Sequence, residues 1–181
     1  MNDHPPIDGR GLLLVNTGDG KGKSTAALGL GMRAAGHGLR VVMLQFMKDP
    51  EKWRVGEWAA AERLPAMTIE PLGAGFTWEH ESLEADIAAA RRAWERCRTV
   101  LSDPDVDVVI LDELSYVVDY GFLEIDEVLP PILARPAHQH VVVTGRNAHP
   151  RLIEAADTVT EMRNVKHAFD RGVPGVKGIE F

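Results

Sequence analysis

The stretch Asn16-Thr17-Gly18-Asp19-Gly20-Lys21-Gly22-Lys23-Ser24-Thr25 constrains this chain more than any other. An apolar run from Gly11 to Val15 precedes it and reads as a buried strand; Ala26 to Gly36 follows and reads as a helix. A strand, a glycine-rich turn and a helix opening on Gly-Lys-Ser make the setting in which a loop wraps phosphate. Glycines let backbone N–H groups converge on phosphate oxygens, and the helix N-terminus turns its positive dipole end toward them. Lys23 adds a point charge, and Ser24 a hydroxyl suited to Mg²⁺. Thr17 stands where the pattern usually has its first glycine. The expectation is a chain that binds a nucleoside triphosphate.

The length of 181 residues suits one domain with a sizeable core. Residues 1–10 read as a short polar N-terminal segment. Residues 11–181 read as a single P-loop α/β domain that includes an irregular tail from about residue 164. A net charge of −7 argues against general attraction to nucleic acid or to anionic membranes. The longest apolar runs are too short to span a bilayer, and Met1 to Arg10 does not resemble a signal peptide. The lone cysteine, Cys97, cannot support an intramolecular disulfide and fits a reducing cytoplasm. Arginines 92, 96 and 98 flank it, but no motif surrounds it, and it reads as a bystander thiol.

Strands and helices alternate along the chain. Leu39–Phe46, Met67–Glu70, Val106–Leu111, Gln139–Thr144 and Thr158–Glu161 read as further strands. Gly56–Leu64, Ser82–Leu101 and Glu124–Leu133 read as helices. The longest carries Ile87, Ala90, Trp94 and Leu101 at roughly helical spacing, with Ser82 as its cap. The pattern predicts an α/β fold of the P-loop NTPase-like, recombinase type: a mostly parallel sheet with helices on both faces. Ligands bind such sheets at the carboxyl ends of the strands. That rule brings Thr17, Gln45, Asp112, Thr144 and Arg146 to one rim.

Asp112 and Glu113 close the apolar run Val109-Ile110-Leu111, which places carboxylates at the sheet edge where Mg²⁺ would accompany a triphosphate. Asp112 is assigned to the metal shell with Ser24; Glu113 orients metal, water or substrate. Arg146 offers a planar fork to phosphate, or is a surface arginine in a turn. Phe76 and Trp78 follow the paired glycines of Gly73-Ala74-Gly75. They form either an apolar wall for a second, bulky substrate or ordinary loop packing. His167 reads as structural, and the histidines show no metal-binding spacing.

These residues resemble the P-loop-type ATP:corrinoid adenosyltransferases of the cobalamin pathway. The segments that carry the resemblance are Thr17–Ala27, Gln45-Phe46-Met47-Lys48, Gly73-Ala74-Gly75-Phe76-Thr77-Trp78, Leu111–Leu114 and Thr144-Gly145-Arg146. Ala156–Arg163, Val165–Gly172 and Lys177-Gly178-Ile179-Glu180-Phe181 continue it to the tail. The phosphate loop is common to many nucleotide enzymes; the aromatic loop and the tail make the match specific. The resemblance implies transfer of the 5′-deoxyadenosyl group of ATP to the Co(I) centre of a corrinoid, releasing triphosphate. It maps Gly20, Lys21, Gly22, Lys23, Ser24 and Thr25 onto triphosphate binding, in the loop that begins at Thr17 and Gly18, with the phosphate chain running in the reverse sense to ordinary P-loop enzymes. It gives Phe76 and Trp78 the task of crowding the lower corrinoid face, which removes an axial ligand and eases reduction of Co(II). It further implies Lys23, Asp112 and Glu113 as catalytic groups, Mg²⁺ with ATP, a homodimer and a flavoprotein reductant.

Two stretches depart from the family pattern. Only Met1 to Arg10 precede the first strand, so a helical lid over the corrinoid is expected to be shortened or absent. The connection Asp49 to Val55 also lacks the usual glycine-rich form. The competing readings are a phosphoryl-transfer kinase or ATPase, and a module that binds ATP and corrinoid without turnover. The phosphoryl-transfer reading leaves the aromatic loop unexplained; the binding module would show tight binding of both ligands without turnover.

Overall fold

The computed structural model describes residues 9–49, 55–73 and 83–180. The elements run β1 (Leu13–Thr17), α1 (Lys23–Gly36), β2 (Val41–Gln45), α2 (Gly56–Ala61), β3 (Met67–Pro71) and α3 (Leu83–Leu101). They continue with β4 (Val108–Asp112), α4 (Leu114–Asp119), α5 (Ile125–Leu133), β5 (His140–Thr144), α6 (Pro150–Ala155) and β6 (Thr158–Glu161). A single 3₁₀ turn at Phe169–Arg171 interrupts the irregular stretch after β6.

The six strands form one sheet in the order β3-β2-β4-β5-β1-β6, and every neighbouring pair is parallel. Parallel strands joined by helices must be covered on both faces, which is why β2 and β4 are apolar almost throughout and fully buried. Alternate side chains feed two cores. Val41, Met43, Val108, Ile110 and Val142 pack toward α1 and α2. Val42, Leu44, Val109, Leu111, Val141 and Val143 pack toward α3, α4, α5 and α6. The expected P-loop NTPase-like α/β architecture is therefore the observed one.

Helix α3 buries Ala90, Ala93, Trp94, Cys97, Val100 and Leu101, a stripe at the three-to-four spacing of an amphipathic helix. Ser82, expected to cap it, lies outside the described residues. Two short helices depart from the sequence reading. Helix α4 follows at once on the acidic end of β4. Helix α6 starts with Pro150 in its first turn, and its N-cap His149 accepts the Arg151 N–H through Nδ1 at 3.2 Å. Among the described residues no helix is long and apolar enough to cross a membrane.

Candidate functional site

The phosphate loop leaves β1 and enters α1 over residues 18–22, folded against the end of β6. The Gly20 N–H donates to Met162 O at 2.6 Å, and the Met162 N–H donates back to Thr17 O at 2.8 Å. Gly18 carries φ +91°, and a Cβ there would sit 2.5 Å from Met162 O, so no other residue fits that position. The positive φ falls on Gly18 and not on Thr17, which explains how the chain carries a threonine where a glycine is usual. The Thr17 hydroxyl accepts the Ala148 N–H at 3.1 Å and braces the loop against the segment after β5.

Helix α1 opens without a side-chain cap and without an acidic residue in its first turn. Its leading N–H groups and positive dipole end are thus left for an external anion. Lys23 arches over the loop, its Nζ donating to Gly18 O at 2.7 Å and Gly20 O at 2.6 Å. Burial, and then the nearby Arg146 charge, pull the Lys23 ammonium below its ordinary pKa. Such an ammonium gains most when an anion arrives.

Strand β5 stands between the loop's strand and the acidic strand, and its last residue ties the two together. Thr144 Oγ1 donates to Asp112 Oδ1 at 2.6 Å and accepts the Glu113 N–H at 2.9 Å. On the other side Gln45 Nε2 donates to Asp112 Oδ2 at 3.3 Å, and the Trp58 indole N–H donates to Gln45 Oε1 at 2.7 Å. Gln45, Asp112 and Thr144 are fully buried, so this chain of polar groups is held in the sheet and not by solvent. Glu113 takes left-handed backbone angles, φ +66°, unusual for a residue with a Cβ. Its Oε2 is out of solvent and accepts no hydrogen bond. Burial, and then the Asp112 charge, push its carboxyl up to about 7.

A cavity of about 430 Å³ opens over this arrangement, lined by Lys21 to Thr25 of the loop, by Asp112 and Glu113, and by Lys48, Glu57, Tyr116 and Thr144. A second cavity of about 300 Å³ also borders the loop, at Asp19 and Gly20. It shares Lys21 and Lys23 with the first and adds Arg146, Asn164, His167 and Phe169. Arg146 Nε stands 3.9 Å from Asp19 Oδ1. The strand-end rule thus brought Thr17, Gln45, Asp112, Thr144 and Arg146 to one rim, as expected. His167 turns out to border the loop, although its Nδ1 is occupied by the Phe169 N–H at 3.1 Å.

Phe76 and Trp78 lie outside the described residues. The segment that carries them departs from a fixed point: the Leu72 N–H donates to Gln45 O at 2.8 Å. A Cβ on Gly73 would meet Phe46 O at 2.3 Å, so the backbones after β2 and β3 run in close contact beside Lys48. Sequence reasoning overlooked Tyr116, Lys48, Glu57, Trp58 and Glu180 as lining or bracing groups. In the sequence Thr144 showed only as a polar residue ending an apolar strand, and Glu180 only as part of the tail segment that carries the family resemblance.

Residues 9–181 match the family model described as ATP:corrinoid adenosyltransferase BtuR/CobO/CobP. The chain is 52% identical over 175 residues to a corrinoid adenosyltransferase of Pseudomonas aeruginosa, covering 96% of this chain and 85% of that protein. It is 45% identical over 179 residues to one of Salmonella typhimurium, covering 95% and 86% of the two chains. A third, from Escherichia coli, is 44% identical over 181 residues, covering 96% and 87%.

Proposed function

The chain belongs to the ATP:corrinoid adenosyltransferase family, and we propose that its phosphate loop holds ATP by the triphosphate while a Co(I) corrinoid attacks the ribose C5′. The enzyme transfers an alkyl group. A cobalt–carbon bond forms, the C5′–oxygen bond breaks, and triphosphate departs intact. The observation that carries this reading is the pairing of an uncapped α1 N-terminus and two loop lysines with fixed carboxylates across one strand. Such a site neutralises a polyphosphate, and a leaving group improves as its charge is neutralised. Fixing both reactants in one orientation supplies the rest.

Mg²⁺ would be held by the Ser24 hydroxyl and the Asp112 carboxylate, with Glu113 beside them. The donors fit: all are hard oxygens, and the Glu113 Oε2 has no hydrogen-bond partner. Among the described residues no cluster of three or more acidic, histidine or cysteine side chains converges; in this reading phosphate oxygens and water would complete the shell. When bound, the ion would offset triphosphate charge. Gly18, Gly20, Lys21, Gly22, Lys23 and Thr25 would contact the triphosphate, and Arg146 would reach it from the rim. Phe76 and Trp78 would wall the corrinoid. The family resemblance supports a homodimer, a cytoplasmic setting and electrons from a flavoprotein; the buried lone Cys97 is in keeping with a reducing compartment.

The test is an anaerobic incubation of the protein with ATP, Mg²⁺ and chemically reduced cob(I)alamin, followed by spectrum and by phosphate product. Adenosylcobalamin with stoichiometric triphosphate is expected. ADP and phosphate without a cobalt–carbon bond would move the protein to phosphoryl transfer.

A further inference from the structure

The irregular segment after β6 reaches back to the phosphate loop. Gly178, Ile179 and Glu180 form part of the wall of the 430 Å³ cavity. Lys21 Nζ donates to Glu180 Oε2 at 2.7 Å and to Ile179 O at 3.1 Å. The loop's other ammonium, Lys23, is turned onto the Gly18 and Gly20 carbonyls. Each lysine meant for an anion is therefore engaged by an oxygen of the chain itself.

Beyond a local turn, in which the Ile179 and Glu180 N–H groups donate to Val176 O at 3.0 and 2.8 Å, little else holds Glu180 where it is. Every residue from 168 to 180 is exposed, and Phe169 and Ile179 show 72% and 68% of their surface to solvent. No hydrophobic burial anchors the segment, so a charged contact with the loop is what seats its end. A carboxylate and a phosphate oxygen are alike as acceptors for an ammonium, and both cannot hold the same charge at full strength. A triphosphate carries more charge and touches the whole loop, and it prevails.

We propose that Glu180 is a built-in competitor of the triphosphate: it occupies Lys21 before nucleotide binds, is displaced by ATP, and returns as triphosphate leaves. The inference rests on the reading of the loop as a triphosphate site. It gives the segment a task in product release, because a polyphosphate freed from C5′ keeps all its loop contacts and would otherwise dissociate slowly. Glu180 lowers that retention by offering Lys21 a replacement partner.

Calorimetric titration of inorganic triphosphate with Mg²⁺ into the full chain, as wild type, Glu180→Gln, Lys21→Gln and the double variant, tests this. Glu180→Gln should bind triphosphate about two- to fivefold more tightly at low ionic strength, the scale of a solvent-screened ion pair. The gain should shrink in about 0.5 M salt and vanish in the Lys21→Gln background. In turnover the same variant should show stronger inhibition by added triphosphate. Unchanged or weaker binding by Glu180→Gln, with a wild type that binds, would overturn the inference alone. A wild type that binds neither triphosphate nor ATP would overturn the reading of the loop, and the inference with it.

Discussion

The Thr144 hydroxyl hydrogen sits between two oxygens 2.6 Å apart, its own and Oδ1 of Asp112, while the same Thr144 oxygen receives the Glu113 N–H at 2.9 Å. One hydroxyl therefore orients both acids of the site. Thr144→Val keeps the shape and removes the oxygen, leaving buried groups unpaired. It should cost about 1–3 kcal/mol of stability and, on the proposed reading of Asp112 as a magnesium ligand, lower kcat roughly 10- to 100-fold. Thr144→Ser should restore most of both. Thermal melts and initial rates for the two variants decide it; equal rates for Val and Ser would remove Thr144 from the site's support.

Glu113 gives a pH signature. Its carboxyl is raised from 4.5 to about 7 by burial first and the Asp112 charge second. Between those values the folded chain holds a proton that the unfolded chain has lost, so stability falls as pH rises through the window. Glu113→Gln removes the penalty. In magnesium-free, nucleotide-free protein the variant should melt within a degree or so of wild type near pH 4.5 and several degrees higher at pH 8, a gain on the order of 1–3 kcal/mol. The same variant should turn over poorly. A melting difference that stays constant across pH would contradict the assignment.

The aromatic segment has a test that separates reduction from transfer. Phe76→Ala together with Trp78→Ala should lower activity with Co(II) corrinoid and a reductase by tenfold or more. Activity with chemically prereduced Co(I) should fall much less. Equal losses in the two assays would exclude a role in displacing the axial ligand.

Cys97 should be inert. Burial, and then the Glu70 charge, push its thiol far above the ordinary range. The nearby arginines are turned elsewhere: Arg96 makes two bonds to Glu70, at 2.8 and 2.7 Å, and Arg98 pairs with Glu95. A thiol reagent should leave the native protein unmodified over hours and label one thiol per chain in denaturant. Rapid labelling of the native protein would show that α3 opens locally.

What the sequence disclosed follows the range of each physical signal. The strand–loop–helix around Gly18 to Ser24 is local, since glycine positions, the lysine and the apolar flanks all lie within a few residues of one another. Asp112 was legible because a carboxylate ending an apolar strand has few other uses beside such a loop. The rim of Thr17, Gln45, Asp112, Thr144 and Arg146 followed from topology alone. The short helices α4 and α6 span six residues each and carry too little periodicity to stand out from loops. The contact of Lys21 with Glu180 spans 159 positions and has no periodic or compositional trace. Thr144 looked like the end of a strand; its hold on two acids emerges only when β5 is seen beside β4.

The order β4-β5-β1 has a mechanical meaning. Asp112 and the phosphate loop are carried by strands that never touch, two strand spacings or roughly 10 Å apart; β5 lies between them, and α1, which continues the loop, packs across β1, β5 and β4. On the proposed reading of the loop, grip on a triphosphate should therefore depend on the integrity of the sheet centre. Heating should not separate loop from acids by stages: binding of triphosphate should be lost together with the sheet centre, in the same transition as the fold.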